Sequence, residues 1–266
     1  MPFLQRPCGA SIHYAIKGQG CPVLLLAPGG MRSAIANWAA QPYDPWSALP
    51  TDRFQLIAMD QRTAMDQRSG FSRSTVRAGD GWHTFQEDHL ALLDHLGVKR
   101  CHLLGSCIGP SFALQLLRDA PARFGAAVLM QPIGLSAHTT EPGRAWTGLN
   151  TDATEHWFGG WASEMRRDGL ADGAALAALH AAMFTGRDFV FSTSRSELQA
   201  IRSPLLVLMG RDVFHPSETS REVAQLAPNA ELIEEWRDVG AEVLQAASAR
   251  IDAFLTENTG MHMWVS

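Results

Sequence analysis

Cys107 stands at the centre of the run Gly105-Ser106-Cys107-Ile108-Gly109. A short apolar stretch, Cys101-His102-Leu103-Leu104, leads into it, and a helical pattern from Pro110 to Arg118 leads away. A residue on so sharp a strand-to-helix turn has a strained backbone and little room around it. Glycines two before and two after let neighbouring chain segments approach closely. The turn also sets the reactive atom at a helix N-terminus, where the positive end of the dipole favours a thiolate or an oxyanion. Nucleophilic chemistry would need that help, because a free thiol ionises only near about pH 8.5. The competing reading is that Cys107 is a small buried hydrophobe.

The elements around this turn alternate. Ser11 to Lys17 reads as a strand ending at Gly18-Gln19-Gly20. Val23 to Ala27 is a continuous apolar run stopped by Pro28-Gly29-Gly30, as expected for a strand buried on both faces of a parallel sheet. Phe54 to Met59 is a second such run, ended by Asp60. Trp82 to Leu96 has helical spacing, and Gly97 is a natural C-cap. Further strands are expected at Ala126–Met130, Leu205–Met209 and Glu231–Trp236, and a closing helix over Val243–Leu255. Such alternation implies right-handed crossovers and a sheet covered by helices on both faces.

Two stretches interrupt the pattern. Ala58-Met59-Asp60-Gln61-Arg62 recurs as Ala64-Met65-Asp66-Gln67-Arg68, which lengthens a loop and leaves two registers open to the strand. From about 134 to 200 the alternation gives way to helical segments rich in aromatics. This stretch reads as a helical cap inserted over the sheet edge. Trp146, Trp157 and Trp161 would then line a substrate pocket, with ordinary core as the alternative. The implied organisation is a core of residues 1–133 and 201–256, a cap of 134–200 and a tail of 257–266.

Taken in order, these features resemble the α/β-hydrolase superfamily over roughly residues 10 to 256. Pro28-Gly29-Gly30 resembles the family's oxyanion loop, with Pro28 where His is usual. Asp60-Gln61-Arg62, or its second copy followed by Ser69-Gly70-Phe71-Ser72, resembles the Asp-x-Arg-Gly-x-Gly-x-Ser loop. Gly210-Arg211-Asp212-Val213-Phe214-His215-Pro216 resembles the acid loop, with Asp212 as the acid. The resemblance implies that Cys107 is the nucleophile. It also implies that the backbone N–H of Ile108, with that of Gly30 or Met31, holds a developing oxyanion. One such donor is worth about 3 kcal/mol.

The resemblance departs from the family in two places. The nucleophile is Cys rather than Ser. And the loop that should carry the catalytic His reads Trp236-Arg237-Asp238-Val239-Gly240-Ala241-Glu242, with Ala241 after the glycine. Thiol activation and deacylation by water both need a base. Of ten histidines, His215 is the nearest candidate because it shares a loop with Asp212; the alternative is a loop His packed near the cleft. His138 and His262 are further candidates, from the cap base and the tail. His13, His89, His95, His102 and His180 lie on regular elements and read as surface or core.

Composition narrows the classes. The 266 residues carry a net charge of −5 and no block of Lys or Arg, which argues against a nucleic-acid or anionic-membrane surface. The N-terminus has no signal-peptide pattern and no apolar run is long enough to span a bilayer. The four cysteines fit neither a zinc site nor a disulfide scaffold, so free thiols in the cytoplasm are expected. No cofactor or metal is expected, and the expected partner is a small-molecule substrate, with a homodimer left open.

Three functions fit. One is a cysteine hydrolase of esters, thioesters or lactones of a mid-sized apolar molecule. Another is a lyase, cyclase or acyl-transfer enzyme, in which lack of the water-activating His spares an intermediate. The third is a catalytically silent small-molecule binder.

Overall fold

The computed structural model describes residues 2–64, 74–134, 158–184, 190–212 and 214–260. Eight strands form one sheet: β1 (Phe3–Gln5), β2 (Ser11–Lys17), β3 (Cys21–Leu26), β4 (Phe54–Met59), β5 (Cys101–Ser106), β6 (Phe124–Met130), β7 (Leu205–Leu208) and β8 (Ala230–Ile233). Their order is β1-β2-β4-β3-β5-β6-β7-β8. β1 and β2 pair antiparallel, and every pairing from β4 to β8 is parallel. The sheet is therefore mostly parallel, as the continuous apolar runs of β3 and β4 require.

The helices are α1 (Pro45–Ala48), α2 (Trp82–His95), α3 (Gly109–Asp119), α4 (Gly160–Arg167), α5 (Gly173–Met183), α6 (Arg195–Ala200), α7 (Ser217–Leu226) and α8 (Ala241–Glu257). The edge strand β1, the short α1 and the helix α7 were not marked by the sequence pattern. β8 stops at Ile233, three residues before the expected end at Trp236. Trp236 instead turns inward and donates from its indole N–H to Met209 O at 2.7 Å.

Side chains alternate across the pleat. In β3, Leu24 and Leu26 pack with Leu92 and Leu93 of α2 and Phe112 of α3. Val23 and Leu25 point the other way, toward Trp38, Trp236 and Ile251 and Phe254 of α8. Two cores, one on each face, thus bury both sides of the central strands.

The duplication resolves in favour of its first copy. β2 and β4 pair with Ala15 opposite Ala58 and Tyr14 opposite Met59. Asp60 then accepts from the Ile35 backbone at 2.8 Å and lies 2.9 Å from His13 Nδ1. Arg62 forks onto the fully buried Asp88 of α2 at 2.6 and 2.7 Å. Of the second copy only Ala64 lies within the described residues.

Where described, the stretch from 158 to 200 contains α4, α5 and α6. It is tied to the rest of the chain by Trp161 Nε1 donating to Thr63 O at 3.1 Å and by Trp82 Nε1 donating to Met183 O at 2.9 Å. Among the described residues no helix is long and apolar enough to cross a membrane.

Candidate active site

The parallel strands point their carboxyl ends to one edge, and the loops there carry the residues of interest. β5 ends at Ser106, and Cys107 follows with φ +63, the left-handed region that side chains avoid. The turn is forced by its neighbours. A Cβ on Gly109 would sit 2.3 Å from Leu26 O, and one on Gly105 would sit 2.5 Å from the Gly109 carbonyl carbon. Both glycines are therefore needed for α3 to start this close to β3. The Cys107 backbone is pinned on both sides, its N–H donating to Met130 O at 3.1 Å and its carbonyl accepting from Ile133 N at 3.2 Å. The side chain is half-buried.

The loop after β7 closes on itself. His215 N donates to Asp212 O at 3.1 Å, and Asp212 N donates to His215 O at 3.3 Å. Ser217 Oγ and Ser220 Oγ tether Gly210 at its start. The result turns the His215 ring back onto the carboxylate three residues earlier: Nδ1 lies 2.7 Å from Asp212 Oδ1. His215 is buried. Its Nε2 has no hydrogen-bond partner among the described residues, and the Cys107 thiol lies near enough to act on the ring electrostatically.

The electrostatics follow from this grouping of charges. Burial disfavours a Cys107 thiolate. The charge of His215 and the backbone N–H groups of Gly29 and Ile108 outweigh it and draw the thiol below its ordinary pKa. Burial also disfavours a charged His215, yet Cys107 and Asp212 together push its pKa up to about 9. Asp212 is desolvated too, but His215, the Phe214 N–H and Arg237 hold it well below the usual carboxylate range. Both shifts run toward the same charged pair, a thiolate facing an imidazolium, backed by a carboxylate.

The oxyanion loop is stapled by Asn37, whose Nδ2 donates to Pro28 O at 2.8 Å and Arg32 O at 3.0 Å. Gly30–Arg32 opens as a 3-10 turn, so its first N–H groups lack acceptors within the turn. Gly30 and Met31 are buried there, and Ile108 is fully buried as the N-cap residue of α3. The loop N–H that helps lower the thiol is that of Gly29, one residue earlier than Gly30, the first donor the motif suggested.

The structure brings Cys107, Asp212, His215 and Ile108 into one neighbourhood. Trp161 does not join them. It is fully buried, stacks edge-on against Phe158 at 5.2 Å and spends its N–H on Thr63. It is a core residue, which corrects its assignment to the pocket wall and removes its argument for an apolar substrate. Trp146, Trp157, His138 and His262 lie outside the described residues. Among the described residues no group of three or more His, Cys, Asp or Glu side chains is arranged to hold a metal ion.

Sequence reading missed Arg237 and Gln131. Arg237, in the loop where the family's His was sought, donates from Nη2 to Asp212 Oδ2 at 3.1 Å and from Nη1 to Gln131 Oε1. Gln131, the residue after β6, has φ +42. A lone Arg and a lone Gln in loops carry no spacing that would have marked them.

The residue-level picture agrees with the comparisons to known proteins. A protein of Variovorax paradoxus (strain S110) named as a carbamate hydrolase is 31% identical over 119 residues, 45% of this chain and 41% of its own length. A 2-hydroxy-6-oxo-6-phenylhexa-2,4-dienoate hydrolase of Comamonas testosteroni is 29% identical over 133 residues, 49% of this chain and 43% of its own. The matched region therefore spans less than half of either relative. A solved structure of a meta-cleavage product hydrolase from Pseudomonas fluorescens IP01, in a mutant form, is 18% identical, covers 97% of this chain and 98% of its own, and superposes with a TM-score of 0.63, a likeness of fold. The family model for the alpha/beta hydrolase fold matches residues 22–195, from β3 to the first residue of α6, and with the strand order and the elbow it shows that the chain belongs to the α/β-hydrolase family.

Proposed function

We propose that the protein is a cysteine hydrolase that opens the carbonyl of a small-molecule ester, thioester or lactone. The observation that carries this reading is a buried His215 whose Nδ1 lies 2.7 Å from the Asp212 carboxylate, whose Nε2 has no hydrogen-bond partner among the described residues, and whose charge acts on the elbow thiol. The relatives named above are hydrolases by name, which supports the same coarse class.

In this mechanism the Cys107 thiolate attacks the carbonyl carbon, and the π electrons move to oxygen. The N–H groups of Ile108 and of Gly30 or Met31 receive that oxyanion. Collapse breaks the bond to the leaving alkoxide or thiolate, which takes its proton from the His215 imidazolium. Water then attacks the acyl-cysteine thioester and passes a proton to His215 Nε2. Collapse of the second intermediate releases the carboxylic acid and restores the thiolate. Asp212 keeps the ring oriented and the imidazolium stabilised.

The lyase, acyl-transfer and silent-binder readings drew their force from the absence of a histidine at 241. His215 offers a base from another loop, so hydrolysis is the reading that the geometry favours. Intact-mass measurement of the protein mixed with p-nitrophenyl acyl esters tests it. A transient adduct on Cys107 that decays with release of acid is expected. An adduct that persists in water points to acyl transfer, and neither adduct nor turnover that depends on Cys107 sinks the proposal.

A further inference from the structure

The Asp212 carboxylate divides its work between its two oxygens. Oδ1 takes His215 Nδ1 at 2.7 Å and the N–H groups of Phe214 and His215 at 3.0 Å each. Oδ2 takes Arg237 Nη2 at 3.1 Å. A carboxylate held through one oxygen alone can swing about its last bond, and the ring it orients would swing with it. Arg237 is not free to follow, since its side chain is only 15% exposed and its Nε donates to Asp238 Oδ2 at 2.9 Å. Its remaining arm reaches Gln131 Oε1.

Gln131 is itself a constrained residue. Its backbone N–H donates to Leu208 O at 2.7 Å, and its φ of +42 lies in the left-handed region that side chains avoid. Its amide makes long contacts to Ser106 Oγ at 3.4 Å and Gln41 Oε1 at 3.3 Å. Ser106 is the residue before Cys107. The contacts therefore close a ring from the elbow through His215, Asp212, Arg237 and Gln131 back to the elbow, drawing on the ends of β5, β6, β7 and β8.

We infer that Arg237 is a positioning residue, locking Asp212 through its second oxygen so that His215 stays aimed at Cys107. The inference rests on the hydrolase reading for its purpose, but not for its test. The charged groups facing Arg237 are Asp212 from the β7 loop and Asp238 from its own; the titratable group facing Cys107 is His215. A guanidinium serves here where a point charge cannot, because its planar fork spans two acceptors at once. A role limited to packing, with the guanidinium 5.8 Å from the Trp236 ring, is the competing account.

The test is the pH dependence of Cys107 alkylation by iodoacetamide, read by peptide mass mapping so that the half-exposed Cys8 is scored separately. No substrate is present, so the result stands apart from whether the protein hydrolyses anything. In Arg237→Gln the midpoint for Cys107 is expected to move up by about half to one pH unit, because a loosened imidazolium stabilises the thiolate less. Arg237→Lys keeps a charge near Asp212 but cannot reach Gln131 as well, so it is expected to move the midpoint the same way by less. Arg221→Gln, which removes an exposed cation on α7, is the control and should leave the midpoint in place. An unchanged midpoint in Arg237→Gln overturns the inference; if that variant does not fold, an unchanged midpoint in Arg237→Lys does so.

Discussion

His215 lies three residues after Asp212 on a single loop, with its Nδ1 2.7 Å from the Asp212 carboxylate. Acid and imidazole are thus delivered together from the end of β7. The loop after β8, where the family's His was sought, supplies Arg237 to the same carboxylate instead.

The pH profile follows from the two coupled groups. The Cys107 thiol is drawn below its ordinary value, while His215 holds its proton up to about 9. Turnover is expected to rise as the thiol ionises, at a pH below that of an ordinary thiol, and to fall as His215 deprotonates near pH 9, with both limbs belonging to the pair. Rates across pH 4 to 10 (roughly the span of both limbs) check this, and a profile still rising past pH 9 would contradict it. The stability linkage has two signs. The raised His215 contributes stability that is fully present below its unfolded value of about 6.5 and is lost as pH climbs through about 9. The depressed Asp212 contributes stability present above its unfolded value and lost as pH falls toward its folded one.

Removing the imidazole isolates the base. His215→Ala is expected to lower kcat/KM by about 10²–10⁴, the range typical of a positioned proton-transfer group. The fold should persist, since Asp212 keeps the Phe214 N–H and Arg237 when the ring is removed. Retained activity in a variant shown to be folded would move the base elsewhere.

The elbow stores strain, and two truncations reveal it. Cys107→Ala and Cys107→Gly both lose the thiol, but only the first keeps a Cβ at φ +63. The Gly variant is expected to be more stable than the Ala variant by about 1 kcal/mol. Urea denaturation of the two side by side checks the order, and the reverse order would show that the turn is relaxed.

Arg62 and Asp88 form a buried pair that anchors α2 to the loop after β4, with Arg6 Nε also donating to Asp88 Oδ1 at 2.9 Å. Asp88→Leu leaves Arg62 buried at 7% exposure without its partner, and a loss of about 3–5 kcal/mol is expected. Replacing both residues, as Arg62→Met with Asp88→Leu, should recover part of it. Thermal unfolding of the three proteins measures the difference, and equal losses in the single and double variants would refute a pair-dependent role.

Much of this molecule was legible in the chain alone. β2 and β4 run between the residues that the pattern marked, β2 because a strand with one buried face alternates and β4 because a strand buried on both faces is almost wholly apolar between its turns. The elbow was legible for a stronger reason. Gly105, Cys107 and Gly109 answer to contacts within one short turn and with one neighbouring strand, so their spacing carries the geometry. The acid loop was legible as far as Asp212 and His215 sharing it.

What the tertiary structure decided was distance. Spacing along the chain does not say which of ten imidazoles ends beside a thiol a hundred residues away. That depends on β5 and β7 lying on either side of β6, and on a loop that hydrogen-bonds to itself. Nor does composition tell a pocket wall from a core: Trp161 has the residue type of either, and only packing against Phe158 and Thr63 assigns it. Arg237 is the sharpest case, since its role comes from an oxygen left over on Asp212 once His215 has taken the other. Cys107 was named as a nucleophile by local geometry; a partner for it had to be brought from across the sheet, because charge acts through space and not along the chain.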